Sequence, residues 1–359
     1  MKKNILKYIF ILIGIIIIIG IGILINKIIQ LNKLSEMTSN EMIDYVINDD
    51  DKTIISVAII KDDKIEYKTY SNNLKEDIVY DYEVGSISKT FVALLLSKTI
   101  EEGKIKINDS ISKYLELDTN NYYPTIERLI THTSGYKGYY FNSKMIGNKF
   151  TQNNDYYGIS RENILNKVKS VKLKDKDYKF EYSNFGISVI GLVLEKIYDK
   201  DFVTLMNEYI INDLKLYNTK VATSKGNLNG YWNWKADDGY IPAGAIISDI
   251  KDMSNYLNLY LESEESYITN TYIPIKDIKS NNYMYDKLDI NMDKIAMTWM
   301  IDTENKFIWH NGATSNFNSY IAFNKEKKIG IILLSNLSPN KKIPMTVIGT
   351  TMMKELIYN

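Results

Sequence analysis

The sequence predicts an α+β protein. One antiparallel sheet, assembled from both ends of the chain and flanked by terminal helices, is interrupted by a mostly α-helical insertion from about residue 104 to 290. Three observations carry this prediction. Ile54 to Ile60 and Ile65 to Tyr70 form two apolar-rich runs around Lys61-Asp62-Asp63-Lys64, a hairpin signal near the start. Phe317 to Phe323 and Ile329 to Leu334 repeat that signal around Asn324-Lys325-Glu326-Lys327 near the end, after a strand centred on Ile308. Between them lie longer apolar stretches of helical length, such as Phe185 to Ile197.

Taken in order, the chain opens with 18 consecutive uncharged residues, Tyr8 to Ile25, dominated by isoleucine. At 1.5 Å per residue such a helix is about 27 Å long, enough to cross a bilayer core. The exit, Leu24-Ile25-Asn26-Lys27-Ile28, offers no small-x-small cleavage site, so the span is expected to stay as an anchor. Lys2, Lys3 and Lys7 precede it and Lys27 and Lys33 follow. The positive-inside rule then puts the N-terminus in the cytoplasm and the rest outside, in a single-pass cell-membrane topology. Residues 1–30 are thus read as a membrane anchor and 31–52 as a juxtamembrane segment with a first amphipathic helix, Glu36 to Ile47. One domain occupies 53–359. After the first hairpin, an extended run ends at Gly85-Ser86-Ile87-Ser88-Lys89, where a long apolar helix through Phe91 to Leu96 begins. Met345 to Ile357 closes the chain as a helix.

Composition narrows the function. Lys plus Arg and Asp plus Glu number 44 each and no basic block stands out, so nucleic acid is not an expected partner. There is no cysteine, which excludes disulfides, a thiol nucleophile and Cys-ligated zinc. Only two histidines exist, His132 and His310, and they are not at metal-ligand spacing, so neither a metal nor another cofactor is expected. The 29 tyrosines accompany abundant Ile, Asn and Lys and reflect compositional bias rather than a binding surface.

Three short elements carry chemistry. At the start of a helix, Ser86 and Lys89 face the same way, so the Lys89 ammonium can lie beside the Ser86 hydroxyl and lower the cost of removing its proton, and free backbone N–H groups can hold an oxyanion. The S-x-x-K spacing alone is cheap, recurring at Ser110, Ser134, Ser248 and Ser338. Phe180-Glu181-Tyr182-Ser183-Asn184 stands before the Phe185 to Ile197 helix, placing a phenol and an amide at a helix entrance, with Asn184 a plausible N-cap. Phe307-Ile308-Trp309 leads into His310-Asn311-Gly312-Ala313-Thr314, where Gly312 would let another backbone approach the strand closely.

In that order, Ser86/Lys89, Tyr182/Asn184 and His310/Gly312 resemble the serine β-lactamase and penicillin-binding protein superfamily. The branch is that of class C β-lactamases, D-alanyl-D-alanine peptidases and related esterases. Leu129-Ile130-Thr131-His132-Thr133-Ser134-Gly135, Pro242-Ala243-Gly244 with Ser248, Asp252 and Met253, and Asp109 to Leu115 look like further family segments, so the resemblance covers roughly residues 40 to 355. It implies a β-lactamase-like fold and an acyl-enzyme at Ser86. Lys89 and Tyr182 would share the proton relay, with Tyr182 as a phenolate held down by Lys89. Asn184 would hold Lys89 and the substrate amide, and the N–H groups of Ser86 and Ala313 would form the oxyanion hole. Gly312 and Thr314 would line the substrate strand, and His310 would shape the proton network. Class C enzymes carry Lys-Thr-Gly where His310-Asn311-Gly312 stands, and Arg128 and Arg161 are both far in sequence from that motif. The implied substrate is therefore a D-amino-acid amide or ester of the cell envelope, such as a stem peptide or a D-alanyl ester. A β-lactam hydrolase is the first alternative, and a single-turnover or non-catalytic ligand sensor the second. Nothing in the sequence sets an oligomeric state.

Overall fold

The computed structural model describes residues 13, 20–22, 26, 28–62, 64–73, 78–152, 154–221, 225–280, 282–339 and 343–358. The Tyr8 to Ile25 span lies almost wholly outside the described residues; among those described, no helix is long and apolar enough to cross a membrane.

The expected sheet is present and larger than the sequence implies. The two hairpins are β1 (Ile55–Lys61) with β2 (Lys64–Tyr70), and β10 (Asn318–Asn324) with β11 (Ile329–Ser335). They join through antiparallel pairing of β1 with β11, Ile55 opposite Ser335, which unites the two ends of the chain. Beyond β10 lie β9 (Phe307–Ala313), β8 (Met300–Asp302), β7 (Lys294–Ile295) and β6 (Lys276–Asp277), giving the order β2-β1-β11-β10-β9-β8-β7-β6. Both faces are covered. In β11, Ile329, Ile331 and Leu333 pack with the helices Ser39–Asp49 and Met345–Tyr358, while Ile332 and Leu334 point into the opposite core shared with Ile250–Glu262. That double burial is why β11 is apolar at nearly every position.

Three expectations shift. The helix expected over Glu36 to Ile47 starts at Ser39, after a separate helical segment that covers residues 28–36, because Thr38 caps it: its hydroxyl accepts from Glu41 N while the Glu41 carboxylate accepts from Thr38 N. The insertion is not purely helical, since it supplies β6 to the main sheet and two strands of a second one. That small sheet has the order β3-β5-β4, from β3 (Tyr82–Glu83), β4 (Lys220–Val221) and β5 (Ile246–Ser248). Asn184 is the first residue of the Asn184–Tyr198 helix rather than its cap. Ser183 takes the cap, accepting from Gly186 N at 2.9 Å.

Candidate active site

The extended run before Ser86 is β3, and it is pinned on two sides. Val84 N donates to Ile246 O of the small sheet at 3.0 Å, and Ser319 Oγ of β10 donates to Val84 O at 2.8 Å. Between those anchors the chain turns through Gly85 at φ +51°, a left-handed conformation that glycine adopts without strain. A Cβ on Gly85 would lie 2.5 Å from Ala313 N, so the turn is pressed against the end of β9. Gly312 is tighter still: a Cβ there would lie 1.9 Å from Val84 O. These two glycines let the Ser86 turn and the exposed Ala313 backbone meet. Ser86, half-buried, then enters the Ser88–Glu101 helix through a single 3₁₀ turn.

Lys89 is fully buried. Its Nζ lies 2.9 Å from Ser86 Oγ, donates to Ala243 O at 2.6 Å, and sits 4.9 Å from the centre of the Tyr182 ring. Burial holds this amine well below the usual lysine range. A neutral amine has two N–H groups and one lone pair. With one N–H on the Ala243 carbonyl, the lone pair is available to the Ser86 hydroxyl. The Ser-Ile-Ser-Lys repeat at Ser110 lacks this geometry: Lys113 pairs with Asp109 at 2.8 Å, and Ser110 caps its own turn.

Tyr182 is held by a residue the sequence presents only as part of a satellite segment. His132, buried and at φ +56°, accepts from Ser183 N at Nδ1 (3.1 Å) and from Glu181 N at its carbonyl (2.9 Å). It thus bonds the backbone N–H of the residue on each side of Tyr182, and its ring lies 4.7 Å from the Tyr182 ring. Burial depresses His132 strongly, so the ring is neutral. Burial pushes the Tyr182 phenol up, and the Ser86 hydroxyl beside it pulls the other way. The expected phenolate–ammonium pair is therefore the costly form in this pocket; a neutral phenol beside a neutral amine is favoured.

Asn184 departs from its expected partner. Its Nδ2 donates to Tyr156 Oη at 3.0 Å, and its buried Oδ1 has no hydrogen-bond partner among the described residues. Lys89 is held by the Ala243 carbonyl instead. His310 is buried on β9 with Nδ1 bonded to Asn311 O at 2.7 Å, and its ring lies 6.3 Å from that of Tyr182. Burial pushes it down to about 3. It is neutral at any physiological pH.

Past β9, Thr314 Oγ1 donates to Glu83 at 2.6 Å, and the other oxygen of that carboxylate accepts from Trp232 N at 2.6 Å. Trp232 Nε1 donates to Ser315 Oγ at 2.9 Å, and Asn316 Nδ2 donates to Gly230 O at 2.9 Å. Glu83, 3% exposed, thus clamps the turn after β9 to the Gly230–Trp232 segment, and burial pushes it up to about 7 against the pull of both donors.

The predicted residues therefore converge on one seam between the helical part and the sheet, with Ser86, Lys89 and Tyr182 in contact range, His310, Gly312 and Ala313 on the facing strand and Thr314 just past its end. The sequence presents His132 and Ala243 only within satellite segments and without a role, and it does not single out Glu83, which carries no motif; a backbone carbonyl has no residue signature. Both arginines are engaged elsewhere, Arg128 with Asp175 (2.8 Å), Asp177 (3.3 Å) and Tyr122, and Arg161 with Glu195 (2.6 Å) and Asp237 (2.8 Å). Among the described residues no cluster of His, Asp or Glu is placed to hold a metal.

Residues 48–345 match the family model described as Beta-lactamase. The chain is 23% identical over 315 residues to Protein flp of Staphylococcus aureus, an alignment covering 79% of this chain and 59% of that protein's length. Among solved structures it resembles a β-lactamase/D-alanine carboxypeptidase from Yersinia pestis (TM-score 0.73, 14% identity, 88% of this chain and 96% of that one). It also resembles an octameric penicillin-binding protein homologue from Pyrococcus abyssi (TM-score 0.68, 22% identity, 85% and 74%). At those identities the likeness is one of fold.

Proposed function

Given that this chain belongs to the beta-lactamase family, we propose that it is a membrane-anchored, extracytoplasmic serine hydrolase that cleaves D-amino-acid amide or ester bonds of the cell envelope through an acyl-serine intermediate. The observation that carries this reading is the fully buried Lys89 amine 2.9 Å from Ser86 Oγ. A desolvated amine of lowered pKa is a competent general base at neutral pH.

Ser86 Oγ attacks the substrate carbonyl carbon as its proton passes to Lys89. The oxyanion forms between the N–H groups of Ser86 and Ala313, which the Gly85 and Gly312 contacts bring together. Collapse expels the leaving amine or alcohol, protonated through the Tyr182 phenol, which is replenished from the Lys89 ammonium. Water then attacks the acyl-serine, its proton following the reverse route, and releases the acid with Ser86 restored. His132 and His310, both neutral, keep Tyr182 in place rather than exchanging protons. With both arginines paired elsewhere, neither supplies a grip for a free C-terminal carboxylate, which favours an ester or amide without that group over a carboxypeptidase substrate. Membership of the beta-lactamase family keeps β-lactam turnover as a second reading.

The test uses the full chain in mild detergent: labelling with a fluorescent penicillin and a fluorophosphonate, mass mapping of the adduct, and turnover of a β-lactam, a D-Ala-D-Ala peptide and a D-alanyl ester. The expected result is a Ser86 adduct absent in Ser86→Ala and fastest turnover of the ester. Labelling that persists in Ser86→Ala overturns the reading.

A further inference from the structure

A second feature lies on the rim of the site, in the segment that follows His132. From Leu129 to Asn154 the chain has no Asp or Glu, and it carries Lys137, Lys144 and Lys149 in a protein whose charge is otherwise balanced. Four large apolar side chains of this stretch face outward: Tyr139 is 56% exposed, Phe141 68%, Ile146 58% and Phe150 84%. Phe150 is the most exposed large hydrophobic side chain among the described residues.

The Lys144–Thr151 helix explains how they come to be there. A helix of a water-soluble domain buries its apolar stripe and shows polar residues to solvent. This one tucks only Met145 partly against the core and shows its other large apolar side chains to solvent. Its buried residue is Asn148, whose Nδ2 donates to Asp155 O at 3.0 Å and Tyr157 O at 2.7 Å, while Ile146 and Phe150, one turn apart, stand outside. Lys144 is tied to Gly158 O and keeps its charge on the same surface. A surface that combines exposed aromatics with three lysines against two carboxylates, Asp155 behind Asn148 and Glu181 near Tyr140, keeps a net positive charge and matches the headgroup boundary of an anionic bilayer.

Two further facts favour the bilayer. The apolar run in the sequence ends at Ile25, and Leu31 is already buried in the folded domain at 5% exposure, so the intervening chain spans at most ~20 Å. A domain tethered that closely lies against the membrane that holds its anchor. The surface is also continuous with the site: Ser183 Oγ donates to Lys137 O at 2.7 Å and Phe185 N to Gly138 O at 3.0 Å, on either side of Asn184. Asn233, beside Trp232, donates to Gln152 at 2.9 Å.

We infer that Tyr139, Phe141, Ile146 and Phe150, with Lys137, Lys144 and Lys149, form a docking surface for an anionic phospholipid bilayer that sets the mouth of the active site at the membrane interface. The inference rests on the membrane attachment proposed above. It implies that the substrate is presented from the bilayer surface, as a lipid-linked envelope polymer would be.

The chain has no native cysteine, so a single environment-sensitive fluorophore can be placed on Phe150→Cys, with Tyr217→Cys, 71% exposed and outside this stretch, as the reference. Full-length protein is reconstituted into vesicles of phosphatidylglycerol and phosphatidylcholine in equal parts and floated on a density gradient. The expected result is co-flotation with a blue-shifted label at position 150, quenched severalfold more by brominated-chain lipid than the label at 217, and an effect that shrinks in Lys144→Glu/Lys149→Glu or at high salt. A floating protein whose label at 150 is as open to aqueous iodide as that at 217 overturns the docking surface and leaves the anchor standing. Protection from iodide without quenching by brominated lipid assigns the surface to a second copy or another protein and also overturns it. Failure to float overturns both. Ile146→Cys serves as the second labelling site.

Discussion

Replacing Glu83 by Gln tests the clamp between Thr314 and Trp232. Burial raises the Glu83 carboxyl to about 7, against an ordinary value of 4.5 in the unfolded chain. Because the folded-state value is the higher one, the folded protein prefers the neutral acid. Its contribution to stability is fully present below about 4.5, falls as pH rises from there to about 7, and is flat beyond. The gap between 4.5 and about 7, at 1.36 kcal/mol per unit, sets a ceiling of about 3 kcal/mol on the penalty of ionising this group in the folded state. Gln is isosteric and satisfies both neighbours, its carbonyl accepting from Trp232 N and its amide donating to Thr314 Oγ1. Glu83→Gln is thus expected to match the wild type within about 1 kcal/mol at pH 5 and to exceed it by roughly 1–3 kcal/mol at pH 8. Urea unfolding of the full chain in nonionic detergent, followed by the fluorescence of its 4 tryptophans, reads this directly. Asp238 is also raised, to about 6, so the wild-type curve bends at more than one group, but the difference between the two proteins isolates Glu83. A variant equally destabilised at both pH values would refute the reasoning, because it would make the carboxylate the form the fold prefers.

Lys89→Arg retains positive charge but cannot give up its proton. It should lower the rate of Ser86 acylation by at least ~10², as should Tyr182→Phe; an active Lys89→Arg enzyme would return the base role to Tyr182. Gly312→Ala should destabilise the fold by about 1–3 kcal/mol in thermal melts, since the new methyl meets the Val84 carbonyl rather than a movable side chain. His310→Gln should leave the pH profile of kcat/KM between pH 5 and 8 unchanged in shape, because a group held near 3 does not titrate there; a lost inflection would show that His310 does.

Much of this architecture is legible in the residues. Both hairpins turn within a residue or so of where Lys61–Lys64 and Asn324–Lys327 place them, because alternating apolar runs bounded by polar turns leave few registers. The order Ser86, Tyr182, His310 locates the site because the first two stand at helix entrances and the third on the facing strand. What stays hidden is of two kinds. Asn184 has the chemistry to cap a helix, yet Ser183 does so, because the His132 bonds to Glu181 and Ser183 fix where the chain turns. The base is hidden as well: whether Lys89 or Tyr182 carries a proton depends on how dry the pocket is, and dryness comes from side chains remote in sequence. The short strands β4 to β8, two or three residues each, have no periodicity to detect.

The pairing of β1 with β11 has a bearing on how the chain reaches its working state during synthesis. β1 is made early and exposes an open edge on the side that β11 will fill, and β11 is among the last segments to emerge. Until then the Ser86 turn lacks the Ser319 bond that fixes Val84 and the Ala313 backbone that completes its anion site. A chain that still lacks its C-terminal strand therefore carries an unpaired, apolar strand edge, a demand on holding chaperones that a sheet closed within one half of the sequence would not make.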